Sequence, residues 1–394
     1  MIRTRCILLS AIAAFLLAPS PAGCQDSIVS TRHNLSVTGP GPFKALTERK
    51  VCIFCHAPHH TRIQAPLWNR SDSTQSYLSY FSTTFQGRVA QPNGSTKLCL
   101  SCHDGTIALG KVLSRPREIA MAGNQRYLDT GSAHLGTDLR DDHPVSFSYT
   151  ASQGGSGEGY RPASAITPPV RLDGDGQVQC TSCHDPHSNR HGWFLRTTAQ
   201  GSALCLSCHQ PTGWTGTPHN FSAATWNKSG QDPWPYARYG SVTLNGCANC
   251  HRSHNAGHPQ RLLNFPAEED NCLRCHNGNV AAGDIASDFT KMSVHSLVAT
   301  RGIHDPAENP LTMADRHVEC QDCHNAHQAN DTQAPPPAVP GPLWGVKGLD
   351  SAGRVVQRVA FGYEVCYKCH ADNNGSPTTL VPRVIVQTNT RLEF

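Results

Sequence analysis

The alternation of apolar and polar residues along this chain predicts little regular structure. Long amphipathic helices are not evident, because no window holds apolar residues at the helical period for several turns. The 28 prolines and 33 glycines interrupt whatever pattern begins. Ile7 to Ala18 is an apolar run too short to span a bilayer, and nothing later could span one. Asp173-Gly174-Asp175-Gly176 ahead of Gln177-Val178-Gln179 predicts a hairpin turn into a short strand. The same aspartates faintly match a calcium loop whose later ligands and terminal glutamate are missing. Leu380 to Val386 is β-branched and predicts an edge strand. Gly154 to Gly159 predicts a flexible loop, without the strand-then-helix context of a nucleotide cradle. Pro335-Pro336-Pro337 predicts a stiff linker.

Composition sharpens this picture. The 394 residues would suffice for two or three ordinary domains, yet only 38% are hydrophobic and 7% aromatic. A core made of protein alone would be thin. The formal charge of +4 is too small an imbalance to suggest nucleic acid. Residues 1–23 read as an export signal, with Arg3 and Arg5 ahead of the apolar run. The leader ends Ser20-Pro21-Ala22-Gly23-Cys24, and Ala22-Gly23-Cys24 resembles a bacterial lipobox with Pro21 where Leu or Val is usual. Ordinary cleavage after Ala22 would instead leave an odd reactive thiol, so Cys24 is expected to carry lipid. Gln25 after it resembles lipoproteins sent to the outer membrane. The expected location is therefore the outer membrane of a Gram-negative bacterium, on its periplasmic or cell-surface face.

Sixteen of the 18 cysteines fall in eight Cys-x-x-Cys-His motifs. These are Cys52/Cys55/His56, Cys99/Cys102/His103, Cys180/Cys183/His184, Cys205/Cys208/His209, Cys247/Cys250/His251, Cys272/Cys275/His276, Cys320/Cys323/His324 and Cys366/Cys369/His370. The spacing is that of c-type haem attachment. Two thiols add to the porphyrin vinyl groups and the adjacent histidine becomes an axial iron ligand. Zinc knuckles share the Cys-x-x-Cys spacing but do not require His directly after it, least of all eight times. Eight covalent haems c are expected, with short helices at several motifs, and they would organise the fold more than helices or sheets do.

The motifs form four pairs, an internal repeat. The first motif of each pair adds a histidine three residues on: His59, His187, His254 and His327. The second motif never does. The two outer pairs carry insertions that each contain Pro-Leu-Trp, at Pro66-Leu67-Trp68 and Pro342-Leu343-Trp344, expected as surface loops or hairpins. The pairs resemble the doubled-CXXCH multihaem c-type cytochromes. His33 to Gly41 and Val51 to His59 look like the start of exported cytochromes from metal-reducing bacteria. The resemblance implies a mostly irregular, haem-organised multihaem cytochrome c with short α-helices, a few short β-hairpins and four dihaem modules. The modules are placed at 24–125, 126–212, 213–288 and 289–394, the last with the C-terminal tail.

Each iron needs a sixth ligand, and methionine is scarce, with four in the chain. Bis-histidine haems of low potential are expected. The tether of His59, His187, His254 and His327 is too short for the iron served by the neighbouring His, so each is expected to reach the partner haem of its own pair. One upstream histidine would then serve the first haem of each pair: His33, His143, His219 and, among His295, His304 and His317, His295. His60, His134, His191, His258, His304 and His317 are assigned to the surface or to propionates.

Electron transfer along a haem chain is the expected function, without enzyme activity. The alternatives are a nitrite- or hydroxylamine-type enzyme, which needs an open iron, and a subunit of a cytochrome filament. Expected partners are redox proteins and a porin or extracellular acceptor, and not nucleic acid.

Overall fold

The computed structural model describes residues 27–59, 67–153, 159–297, 304–312, 317–372 and 389–393. The expected leader, Cys24, His60 and the strand at Leu380 to Val386 lie outside them. No helix of the described residues is long and apolar enough to cross a membrane.

Regular structure is sparse. Gly94–His103 and Gly362–His370 are the longest helices among the described residues, at 10 and 9 residues. Among the described residues the strands are two residues long and form three antiparallel ladders. β1 (Phe147–Ser148) pairs with β3 (Gln177–Val178), β2 (Gly159–Tyr160) with β4 (His209–Gln210), and β5 (Gly348–Leu349) with β6 (Val355–Val356). The turn expected at Asp173 is present. Its carboxylate oxygen accepts from the backbone N–H groups of Asp175 and Gln177 at 3.0 and 2.8 Å, which holds the chain in register to enter β3.

The apolar core is dispersed. The largest buried cluster joins Ala45, Ile53, Phe54, Leu109, Met121 and Leu128, and the others hold three buried residues each. Leu128 packs with Ile53 and Phe54 and Leu139 with Leu100, while Phe147 and Tyr149 pack with Val178 and Cys208 of the second pair. Polar side chains supply much of the remaining interior. Arg70 is fully buried and donates to the carbonyls of Leu109, Ser101 and Ala108 at 2.8, 2.9 and 3.1 Å, and to Ser101 Oγ at 3.2 Å. It cross-links the first return loop to the helix that carries the second motif.

Candidate haem-binding motifs and their ligands

Every motif sits on a single turn. In the first motif of a pair the turn starts at the first cysteine or one residue before it: Cys52–Phe54, Cys180–Cys183, Gly246–Asn249 and Cys320–Cys323. In the second motif a helix or turn runs into the cysteines, as in Gly94–His103 and Gly362–His370. The backbone N–H of the motif histidine donates to the carbonyl of the first cysteine: 2.7 Å for His56, 3.0 Å for His184 and 2.9 Å for His251 and His324. That bond closes the turn and keeps the two cysteines and the histidine within one turn of backbone.

A return segment then orients the imidazole. In the second pair Asp185 N–H donates to Phe194 O and Arg196 N–H to Cys183 O. The third pair repeats this with Arg252 to Leu262 and Asn264 to Cys250, and the first with Ala57 to Leu67 and Asn69 to Cys55. The reversal is tight enough to hold Leu67, Phe194 and Leu262 at positive φ. The Nδ1–H of His184, His251 and His324 donates to the carbonyls of Trp193, Arg261 and Pro342 at 2.9, 2.8 and 2.9 Å. His103 does likewise to Ala133 at 2.7 Å. With Nδ1 engaged, Nε2 remains for a metal. In the fourth pair, Pro342 of the Pro-Leu-Trp insertion is itself the orienting carbonyl.

Seven of the eight motif histidines face a second histidine ring at 6.0–6.2 Å between centroids. Two imidazoles on one metal, each about 2.0 Å away and with its centroid about 1.1 Å behind the nitrogen, would be about 6.2 Å apart. The spacing therefore fits a bis-histidine haem iron. A small, mostly apolar pocket beside Cys180 and His254 is walled by Tyr80, Leu100, Leu139 and Val145.

The partners differ from those the short tether suggested. His187 faces His56, His254 faces His184, and His327 faces His251. The extra histidine thus reaches back to the first motif of the preceding pair and not to the second motif of its own. The upstream histidines serve second motifs: His33 faces His103, His143 faces His209, His219 faces His276, and His295 faces His370. The physical reason is that consecutive pairs interlock. The rings of His33 and His219 donate to the carbonyls of Pro186 and Ala326, and the backbone N–H of His143 donates to Ser253 O. Each acceptor immediately precedes the extra histidine of the next pair.

The cysteines continue this order. Within a pair the second cysteines are neighbours, Cys55 with Cys102, Cys183 with Cys208, Cys250 with Cys275 and Cys323 with Cys369. Between pairs the first cysteines are neighbours, Cys99 with Cys180, Cys205 with Cys247 and Cys272 with Cys320. Ser202 Oγ supports one junction by accepting from Cys247 N–H at 2.6 Å. It lies where a Cβ on Gly246 would come within 2.1 Å, so that position requires glycine. The eight motifs are contiguous in space in the order of the chain.

The electrostatics favour neutral ligands. Burial, with repulsion from His103, lowers His33 to about 4, and burial with His254 lowers His184 to about 4. Burial and His143 lower His209 to about 3, and burial with His251 lowers His327 to about 4. A neutral imidazole is the form that binds metal. His254 goes the other way. Burial pulls it down, but the Asp142 carboxylate, accepting from its Nδ1 at 2.9 Å, raises it. Asp142 was not a sequence candidate, and its one signal was adjacency to His143.

Two candidates remain without a ring partner among the described residues. His324 and His59 are both exposed, at opposite ends of the motif series. The histidines set aside also divide. His304, expected at the surface or on a propionate, is buried among carboxylates, and His317 lies beside it. Folding brings them together with Glu308 and Asp322, which the motif spacing did not single out.

A family model described as the doubled CXXCH motif matches residues 173–213 and 240–281. The match covers the second and third pairs. It points to a multihaem c-type cytochrome with covalently bound c-type haem and to electron transfer. No curated protein matches the chain.

Proposed function

We propose that this chain is an octahaem c-type cytochrome, held at the outer membrane by lipid on Cys24, that carries electrons between redox partners and a porin or extracellular acceptor. The observation that supports it is the run of seven facing histidine pairs on motifs contiguous from Cys52 to Cys369. When bound, haem supplies a one-electron iron couple of low potential under two imidazoles. The chain's residues do the rest: thiols fix each site, carbonyls orient Nε2, and burial keeps imidazoles neutral. A redox titration followed by low-temperature magnetic resonance tests it. Eight irons per chain with at least seven low-spin bis-histidine signals are expected. A different count, or several high-spin sites, would overturn the reading.

A second reading, a filament subunit, is favoured by the two leftover ends. At every internal junction the later pair donates its extra histidine to the earlier pair's first motif. Repeating that junction between copies would bring His59 of one copy to His324 of the next, and Cys52 to Cys366. These are the two exposed motif cysteines, the others being partly buried. Pro58 would likewise meet His295, as Pro186 meets His33. Negative-stain microscopy should show linear assemblies, lost in His59→Ala, and carbon monoxide should bind one haem only in the disassembled chain. Assemblies that persist in His59→Ala would refute this reading, and an open iron persisting in intact assemblies would favour the enzyme alternative.

A further inference from the structure

We propose that His304, Glu308, His317 and Asp322 form a binding site for one divalent transition-metal ion, of the zinc class, separate from the haem irons. One ligand atom from each of the four lies within 4.8 Å of the other three. His304 Nδ1 is 3.4 Å from Glu308 Oε1 and 3.2 Å from Asp322 Oδ1. His317 Nε2 is 3.2 Å from Glu308 Oε2 and 3.4 Å from Glu319 Oε2. Ligands of a tetrahedral ion with bonds of about 2.0–2.1 Å stand about 3.3–3.4 Å apart. His317 Nε2 and Asp322 Oδ2 stand 3.9 Å apart, so the four ligands lie at or a little beyond that spacing and need to close only slightly on an ion.

Ordinary packing accounts for only part of this arrangement. The repeat supplies a comparison, because Gln179 and Ser182 of the second pair occupy the places of Glu319 and Asp322. Ser182 Oγ accepts from Gln179 N–H at 3.0 Å, and Asp322 Oδ2 accepts from Glu319 N–H at 2.8 Å. The local turn therefore needs one oxygen, and the aspartate brings a second, Oδ1, that faces His304. Buried Glu308 Oε1, Glu319 Oε2 and His304 Nδ1 make no hydrogen bond of normal geometry among the described residues. Three carboxylates here face one ammonium, Lys368, at 3.5 Å from Asp322. A divalent cation would offset the excess negative charge of these carboxylates. Burying them without one is costly.

The surroundings hold the ligands in place. Glu268, itself buried, accepts from the backbone N–H of His304 at 3.1 Å and of Gln321 at 2.7 Å. Arg261 donates to the His304 carbonyl. Lys368 donates to the Asp322 carbonyl at 2.7 Å. Two imidazoles with carboxylates select zinc-like ions over calcium or magnesium, which prefer oxygen alone. Because Asp322 lies inside the Cys320 motif, the ion would sit beside that haem's attachment turn and add positive charge there.

The test is calorimetric titration of chelator-treated, full-length holoprotein with zinc chloride alone. One equivalent should bind in a millimolar calcium background. His317→Gln and Glu308→Gln should weaken it by at least ~100-fold, while haem absorption stays unchanged. Asp322→Ser, which restores the second pair's cap residue, serves as the variant that keeps the turn and should weaken zinc similarly. Less than half an equivalent bound by the parent protein, undiminished affinity in Asp322→Ser, or displacement by calcium would each overturn the proposal.

Discussion

Replacing Asp142 by Asn should raise the potential of one haem, the one held by Cys180, Cys183, His184 and His254, and leave the others nearly still. Asp142 is 4% exposed, so water screens its charge little. Its Oδ1 accepts from His254 Nδ1 at 2.9 Å and from Asn255 N–H at 3.2 Å. An asparagine oxygen can keep both bonds, so the main loss is charge. A hydrogen bond to a charged acceptor contributes about 1.5–3 kcal/mol and a neutral one about 0.5–1.5, so the substitution removes roughly 1–1.5 kcal/mol. The carboxylate makes His254 a more electron-rich ligand and so favours ferric over ferrous iron. Only the share that differs between the two states moves the potential. At about 59 mV per 1.4 kcal/mol for one electron, the ceiling is about +60 mV, and half that share gives about +30 mV. Potentiometry with magnetic resonance on the variant should show one component displaced upward by that amount. A downward shift, no shift above about 10 mV, or an equal shift in Asp141→Asn would refute the reasoning.

Other outcomes follow from the same geometry. His187→Met should create a histidine/methionine signature that disappears when Cys52 and Cys55 are also replaced by alanine and survives replacement of Cys205 and Cys208; the reverse dependence would restore the within-pair assignment. Arg70→Met strands the buried carbonyls of Leu109, Ser101 and Ala108 and should cost at least ~3 kcal/mol, at about 1–3 kcal/mol per orphaned group, read as a lowered denaturation midpoint. Labelled lipid precursor should mark the parent protein and not Cys24→Ala; equal labelling would dismiss the anchor.

Chemistry here is local and folding is not. The attachment motifs could be read directly, because one turn of five residues holds two thiols and an imidazole whatever surrounds it. The excess of histidine and scarcity of methionine likewise pointed to imidazole as the second ligand. The alternating repeat singled out the histidines that now face motif rings, His187 and His254 among them. Their destinations were hidden, since a three-residue tether rules out the nearest iron without choosing among the rest. That choice is made where pairs interlock, through contacts such as His33 with Pro186, between residues 153 apart. The same distance in sequence concealed Asp142 and the cluster around His304. A carboxylate becomes a partner for an imidazole only when packing removes water from between them, and no spacing rule along one strand of chain records that.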